Sequence, residues 1–152
     1  MIARPTTVHA SAVLVGARAV LIRGPSGSGK SRLALDLIEA GRGGCLLLTR
    51  LVADDRVYLE AVHGRLLARP APALAGLFEV RGVGLLQLQH EPTAVVGLVV
   101  DLAADDAVRL PEPAQRQAEI AGVLLPRLAV AAGEAALPAL LAVLKFPQHS
   151  WV

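Results

Sequence analysis

The chain has little cysteine and little charge imbalance, and each shortage excludes a class of protein. A single cysteine, Cys45, is present among 152 residues, so the sequence has no partner for an intrachain disulfide or for a cysteine-based metal site. Because Cys45 lies in an apolar run, we predict that it is a buried core thiol. The formal net charge is only +2, which does not indicate a nucleic-acid-binding surface.

Long apolar segments are also missing. The longest uncharged apolar run, residues 135–144, is too short to span a bilayer. The N-terminus has no apolar stretch followed by a cleavage site, and so differs from a secretory signal. We therefore expect a cytoplasmic protein with no membrane partner. The length predicts one domain, residues 1–146, followed by a C-terminal tail at 147–152.

Hydrophobic patterns in the first third predict a strand, a turn and a second strand over residues 12–23, with the turn at Gly16. From Ser31 onward the apolar spacing predicts a helix, which ends where Gly41 or Gly43 takes the positive φ of a C-cap. This order of strand, loop and helix indicates an α/β fold.

The rest of the chain predicts a β-rich middle and a final helix. Residues 45–69 contain two or three short apolar runs, and residues 78–88 and 94–102 contain one more each, all of strand length. Residues 134–145 predict a helix with Pro138 in or near its first turn. The predicted fold is a single α/β domain with a β-rich middle.

Residues 24–31, GPSGSGKS, match the phosphate-loop pattern G-x-x-x-x-G-K-[ST] in full. Glycines allow successive backbone N–H groups to face one anion, and the helix N-terminus adds the positive end of its dipole. Lys30 would reach the outer phosphates, and Ser31 would place a hydroxyl on Mg²⁺. The predicted nucleotide-binding residues are Gly24, Pro25, Ser26, Gly27, Ser28, Gly29, Lys30 and Ser31. The alternative is a surface turn rich in glycine and serine, which leaves Lys30 and Ser31 at a helix start unexplained.

Such a loop needs an acidic partner, and two candidates compete. Asp101 ends an apolar strand pattern, which is typical of a metal-holding acid. The adjacent pair Asp54 and Asp55 also follows an apolar segment, and in a strand the two side chains would point to opposite faces. A buried carboxylate requires a partner. The alternative for the pair is a turn with exposed acids.

Three motifs in fixed order carry a family resemblance. The phosphate loop, LVADDRV at residues 51–57 and EVRGVGLL at 79–86 together resemble the catalytic domain of HPr kinase/phosphorylase. The upstream segment TVHASAVLV at 7–15 is similar to the family segment with an active-site histidine. The resemblance covers about residues 6–100, and the last third of the chain matches the family only loosely. The chain resembles the short form of the family, which lacks a separate N-terminal domain.

The resemblance implies a P-loop fold and an ATP- and Mg²⁺-dependent kinase. The substrate would be a serine of an HPr-like phosphocarrier protein, with phosphorolysis as a reverse reaction. Lys30 would contact the ATP phosphates, and Ser31 and Glu79 would bind Mg²⁺. Family members are commonly hexameric, so the resemblance also implies a homo-oligomer.

The resemblance further implies that the Asp54–Asp55 pair holds the acid–base residue, with His9 nearby to help set its protonation. A serine hydroxyl is a poor nucleophile until a carboxylate accepts its proton. Arg81 lies two residues from Glu79 in an extended segment, where its guanidinium could meet a phosphate. The alternative for Arg81 is to cap a strand edge.

Two other functions remain open from the residues. Similar loops occur in small-molecule kinases, which usually carry an arginine-bearing lid, whereas the arginines of this chain are dispersed. A nucleotide-sensing module would bind ATP without turnover. In the last third of the chain, Arg127 and Lys145 are the two candidates for cations that act in catalysis or in binding of the carrier protein.

Overall fold

The computed structural model describes residues 6–146, so the predicted tail at 147–152 lies outside the described residues. They form a nine-stranded mixed sheet and a separate two-stranded sheet, together with two α-helices. The strands are β1 Thr6–Val8, β2 Ser11–Val15, β3 Arg18–Arg23, β4 Thr49–Ala53, β5 Val57–Val62, β6 Arg65–Pro70, β7 Leu77–Val80, β8 Gly84–Gln87, β9 Ala94–Asp101, β10 Gln117–Ile120 and β11 Val123–Ala129. The helices are α1 Lys30–Arg42 and α2 Ala136–Lys145, and 3-10 turns occupy Pro72–Leu74 and Pro113–Arg116.

Strand directions bring several chain segments to one edge of the large sheet. The order is β1-β5-β6-β9-β3-β2-β4, with β11 beside the end of β9. Strands β3, β9 and β11 are parallel, and β2 is antiparallel to both β3 and β4. The carboxyl ends of β3, β4, β9 and β11 therefore meet the start of β2 at the same edge, which we call the carboxyl edge.

Two apolar layers cover the faces of the sheet. Residues alternate between them along each strand, so that in β3 Leu21 packs into one layer while Val20 and Ile22 pack into the other, as the two-residue strand period requires. The second layer receives the buried face of α1, which consists of Leu33, Ala34, Leu37 and Ile38. This packing holds the first turn of α1 against the carboxyl edge.

Most sequence predictions of secondary structure are confirmed, and two details differ. The segment at 78–88, predicted as one strand, is the hairpin β7–β8, because the glycine-containing turn reverses the chain. Helix α1 ends at Arg42, but Gly43 has a φ of −77°. The glycine with positive φ after the helix is Gly44, at 79°, so the predicted C-cap was placed too early.

The prediction of a buried Cys45 is wrong. Cys45 is exposed, and its Sγ lies 3.0 Å from the Nζ of Lys145. The physical reason is that β4 begins only at Thr49, so the apolar run after Cys45 forms a loop whose Leu47 is 75% exposed. Within residues 6–146, neither helix has the length and apolar composition needed to cross a membrane.

Candidate active site

The glycine loop connects β3 to α1 at the carboxyl edge. Its conformation depends on glycine: Gly29 caps α1 with a φ of 97°, a region that side chains rarely adopt. At Gly24 an added Cβ would lie 2.5 Å from Ser28 Oγ and 3.1 Å from the Leu102 carbonyl oxygen. The sequence pattern of the loop therefore meets a steric requirement of this fold.

Lys30 spans the loop that precedes it. Its Nζ donates hydrogen bonds of 2.8 Å to the carbonyl of Gly24 and 3.1 Å to that of Pro25. The ammonium group is thus held at the loop by backbone acceptors. A phosphate oxygen is a charged acceptor, and hydrogen bonds between charged groups are stronger than these neutral ones.

The last residue of the loop is joined to the first predicted aspartate. Ser31 Oγ donates a 2.7 Å hydrogen bond to Asp54 Oδ1, and Ser11 Oγ donates one of 2.8 Å to the same oxygen. Strand β2 lies between β3 and β4, so its first residue, Ser11, stands between the loop and the turn after β4. The Ser11 side chain is completely buried, and its hydroxyl holds the Asp54 carboxylate in place through this hydrogen bond.

Asp55 is placed differently from its neighbour. Both aspartates follow the end of β4 in a turn, not in the strand, and Asp55 has a φ of 68°. Its side chain is 77% exposed, and its Oδ1 lies 3.9 Å from Nδ1 of His9, which is also exposed. The structure therefore separates the pair: Asp54 faces the loop, and Asp55 faces solvent beside His9.

The competing acid, Asp101, is occupied by two guanidinium groups. Arg23 donates bonds of 2.7 and 2.8 Å to its two oxygens, and Arg127 donates one of 2.6 Å. Burial would raise the pKa of Asp101, but these hydrogen bonds and positive charges outweigh it and hold that pKa below its usual value. Asp101 thus ties together the ends of β3, β9 and β11.

Arg127, which the sequence suggested as a functional cation, belongs to the same network. Its NH1 and NH2 groups donate bonds of 2.8 and 2.9 Å to the carboxylate of Asp106, and NH1 also reaches the carbonyl of Gln115. These bonds to Asp106 and Asp101 raise the pKa of Arg127 against the effect of burial. The guanidinium therefore clamps the segment between β9 and β10 to the sheet.

Glu79 and Arg81 lie on the β7–β8 hairpin. The hairpin is anchored by Phe78, which is 2% exposed in the core layer that also contains α1, whereas Glu79 and Arg81 are both exposed. Among the described residues, neither side chain forms a hydrogen bond or an ion pair. The metal role of Glu79 and the phosphate role of Arg81 stay predictions.

The oxygen donors at the loop suit Mg²⁺. Within residues 6–146 there is no group of three or more histidine, cysteine, aspartate or glutamate side chains that could hold a metal. Mg²⁺ does not need such a cage, because it keeps several waters and takes one or two protein oxygens together with substrate phosphates. The hydroxyl of Ser31 and the carboxylate of Asp54 supply oxygens of this kind at the phosphate loop.

Sequence reasoning missed two residues of this region. Ser11 is the single hydroxyl of an apolar strand, two residues after His9 in the segment at 7–15, and that position was the available signal. Arg23 precedes the glycine loop directly, but only the register of β3 against β9 shows that it pairs with Asp101.

A glycine loop between a core strand and a helix, with a carboxylate bonded to the final hydroxyl of the loop, defines a P-loop nucleotide-binding domain. The family model described as HPr Serine kinase C-terminal domain matches residues 1–130. The chain therefore belongs to the HPr serine kinase C-terminal domain family.

Individual relatives agree with this assignment. The HPr kinase/phosphorylase of Streptococcus uberis is 32% identical over 141 residues, which cover 86% of this chain and 43% of the relative. That of Streptococcus thermophilus is 43% identical over 88 residues, covering 57% of this chain and 26% of the relative. The matches therefore span less than half the length of these curated relatives.

A solved structure agrees over nearly the whole chain. The Hpr(Ser) kinase/phosphatase from Coxiella burnetii has a TM-score of 0.72 and 26% sequence identity, covering 93% of this chain and 95% of that chain. The predicted P-loop α/β fold is confirmed.

Proposed function

We propose that this chain is an ATP- and Mg²⁺-dependent protein kinase that phosphorylates a serine of an HPr-like phosphocarrier protein. The observation that carries the proposal is the arrangement of Asp54 and Asp55, one bonded to the phosphate-loop hydroxyl of Ser31 and the other open to solvent. The names of the relatives, which are kinases of HPr, support the same substrate.

The phosphate loop forms the ATP end of the proposed site. Backbone N–H groups of residues 24–31 and the N-terminus of α1 would bind the phosphates, and the Lys30 ammonium would exchange its two backbone acceptors for phosphate oxygens. Ser31 and Asp54 would hold Mg²⁺, with Glu79 as a further ligand. When bound, Mg²⁺ neutralises charge that develops on the phosphate oxygens.

The contacts of the two aspartates favour different roles. Asp54 Oδ1 accepts hydrogen bonds from two hydroxyls, those of Ser11 and Ser31, and these bonds fix the orientation of its carboxylate. Asp55 has no such donors and is accessible to a protein substrate. We assign the acid–base role to Asp55 and the positioning of Ser31 and the metal to Asp54.

In the transfer step, the acceptor serine oxygen forms a bond to the γ-phosphorus as the bond from that phosphorus to the β-phosphate oxygen breaks. The serine proton passes to the carboxylate of Asp55, and ADP leaves. His9, whose Nδ1 lies 3.9 Å from Asp55 Oδ1, would help to orient this carboxylate. Arg81 would contact the transferred phosphate.

The same groups can act in reverse. A protonated Asp55 would return its proton to the serine oxygen as the serine–phosphate bond breaks and inorganic phosphate takes the phosphoryl group. The names kinase/phosphorylase and kinase/phosphatase of the relatives each pair a kinase with an activity that removes phosphate, which supports this part of the proposal. We include phosphorolysis in the proposal.

Self-association and a cytoplasmic location complete the proposal. Leu47, Leu110 and Leu124 are 75%, 84% and 62% exposed, and a contact between subunits would remove such apolar surface from water. We propose a homo-oligomer, a hexamer by family resemblance, which light scattering at several protein concentrations would measure.

The kinase proposal is tested by incubating the protein with γ-labelled ATP, Mg²⁺ and HPr-like carriers, and then mapping the labelled residue. We expect label on one serine of a carrier. Lys30→Ala should lower the rate by two orders of magnitude or more, since this cation stabilises the transferring group. The control is Arg65→Ala, which removes a cation at the exposed start of β6. ATP binding without transfer to any carrier would identify a nucleotide-sensing module instead.

A further inference from the structure

Arg23 directly precedes the glycine loop, and both its backbone and its side chain are bonded to the end of β9. Its carbonyl oxygen accepts a 2.8 Å hydrogen bond from the N–H of Leu102. Its Nε and NH2 groups donate bonds of 2.7 and 2.8 Å to the two carboxylate oxygens of Asp101. A bidentate bond of this kind fixes the orientation of the guanidinium as well as its position. The last residue of β3 is therefore held at two points.

The carboxylate that receives Arg23 is itself held in place. Asp101 Oδ2 accepts a further bond of 2.6 Å from Arg127 on β11, and the Asp101 carbonyl accepts a 2.9 Å bond from the N–H of Val130. The side chains of Asp101 and Arg127 are both largely buried. A polar network that is shielded from water and satisfied in this way is rigid. Asp101 is thus a fixed anchor for Arg23.

The glycine loop takes its position from Arg23. Gly24 follows directly and packs closely on Leu102, so that an added Cβ would lie 3.1 Å from the Leu102 carbonyl oxygen. The Gly24 carbonyl accepts the 2.8 Å hydrogen bond from Lys30 Nζ, which holds the ammonium at the loop before phosphate binds. A shift at the end of β3 would therefore move the start of the loop and an acceptor of Lys30 together.

A cation at this place could act in two ways. Its charge could attract phosphate directly, or its bidentate bond could orient the backbone of the loop. Two of the three guanidinium nitrogens of Arg23 are already bonded to Asp101, which favours the second way. Binding groups that are held in the correct geometry before the ligand arrives do not lose affinity to the cost of ordering them.

We infer that Arg23 is a positioning residue of the phosphate site: its bidentate bond to Asp101 fixes the start of the glycine loop in the geometry that binds phosphate. The inference rests on the proposed binding of ATP phosphates by this loop. It makes phosphate affinity depend on a contact outside the loop, between residues that are 78 positions apart in the sequence.

Calorimetric titration of the whole chain with inorganic tripolyphosphate, at a fixed and saturating Mg²⁺ concentration, measures the phosphate affinity of the loop. Arg23→Gln should weaken this affinity roughly tenfold, which is within the range found for residues that share one bonded network. The same change made in Asp101→Asn should cause little further loss, because the anchor is already weakened. Two losses that multiply in full would show that Arg23 does not act through Asp101 and would overturn the inference.

Arg23→Lys separates positioning from direct attraction by charge. Lysine keeps the positive charge but cannot form the bidentate bond of a guanidinium. We therefore expect Arg23→Lys to bind tripolyphosphate more weakly than the parent does, by about threefold or more. Parent affinity in this variant would identify a charge effect and overturn the positioning role. The conservative change also keeps the test available if Arg23→Gln does not fold.

Two further variants separate positioning from a loss of stability. Arg69→Gln breaks the 3.2 Å ion pair with Glu60 between β5 and β6 and should leave tripolyphosphate affinity unchanged. Arg127→Gln removes the other arginine of Asp101 and should lower the denaturant midpoint as Arg23→Gln does, with a smaller loss of affinity. Equal affinity losses in Arg23→Gln and Arg127→Gln would overturn the inference and leave the kinase proposal intact. A parent that does not bind tripolyphosphate would overturn both.

Discussion

The hydroxyl of Ser31 donates a 2.7 Å hydrogen bond to Oδ1 of Asp54, 23 residues further along the chain. This bond joins the helix end of the glycine loop to the turn after β4 and orients the carboxylate toward the phosphate site. Asp55, the next residue, is left free to contact a second substrate. The proposed division of labour within the aspartate pair leads to separate predictions for the two residues.

Asp55→Asn should lower serine phosphorylation by at least about a hundredfold, because the amide keeps the shape of the carboxylate and cannot accept the proton. The affinity for a non-hydrolysable ATP analogue should stay within a few fold. Asp105→Asn, a change at an exposed aspartate elsewhere on the carboxyl edge, controls for the loss of charge. Transfer at the parent rate by Asp55→Asn would refute the acid–base assignment. His9→Ala should lower the rate of serine phosphorylation less than Asp55→Asn does.

Ser11→Ala should weaken both stability and catalysis, since it removes one of two hydroxyl donors to Asp54. We expect a loss of about 1.5–3 kcal/mol in the free energy of unfolding, typical of a hydrogen bond to a charged group. The Mg²⁺ concentration needed for activity should rise as well. Denaturant unfolding of Ser11→Ala, Asp54→Asn and the double variant measures the coupling, and strictly additive losses would contradict it.

Glu79→Gln should raise the Mg²⁺ concentration for half-maximal activity while leaving the unfolding midpoint unchanged, because Glu79 is exposed and Mg²⁺ prefers charged oxygen ligands. Activity measured over a Mg²⁺ titration separates this effect from a loss of folding. Glu119→Gln, an exposed strand glutamate on β10, is the control. If the metal requirement changes in Asp101→Asn and not in Glu79→Gln, the metal assignment at Glu79 is wrong.

Asp101→Asn should instead destabilise the fold, by on the order of 2 kcal/mol near neutral pH, because it weakens the bonds from Arg23 and Arg127. In the folded state the pKa of Asp101 is lowered, so its contribution is complete above about pH 4 and is lost as the pH falls through the folded-state pKa. Unfolding curves of parent and variant should therefore converge in acid. A constant difference down to the lowest pH would contradict this linkage.

The short motifs of the site could be predicted from the sequence because their chemistry is local. Positive φ at Gly29 favours glycine whatever surrounds it, and the glycines, lysine and hydroxyl of the loop together match the phosphate-loop pattern at the start of a helix. The same holds for α1, whose apolar spacing defines the face that packs on the sheet. For the aspartate pair, the local pattern indicated a function but not which residue performs which part.

Contacts between site residues that are far apart in the sequence depend on the order and register of the strands. Adjacent strand ends bring Arg23 to Asp101, and the antiparallel placement of β2 between β3 and β4 brings Ser11 to Asp54. Neither pairing has a sequence signal, since the partners are 78 and 43 residues apart. Cys45 shows the opposite case, because its apolar neighbours indicated burial and the late start of β4 left it exposed.

The sequence by itself determined the class of the domain and the residue types that bind phosphate, since these follow from local backbone sterics and side-chain chemistry. Only the tertiary structure decided that Asp54 faces the loop, that Asp55 faces solvent and that Asp101 is paired with arginines. The physical reason is that the environment of a carboxylate is set by donors that strand pairing brings from distant parts of the chain.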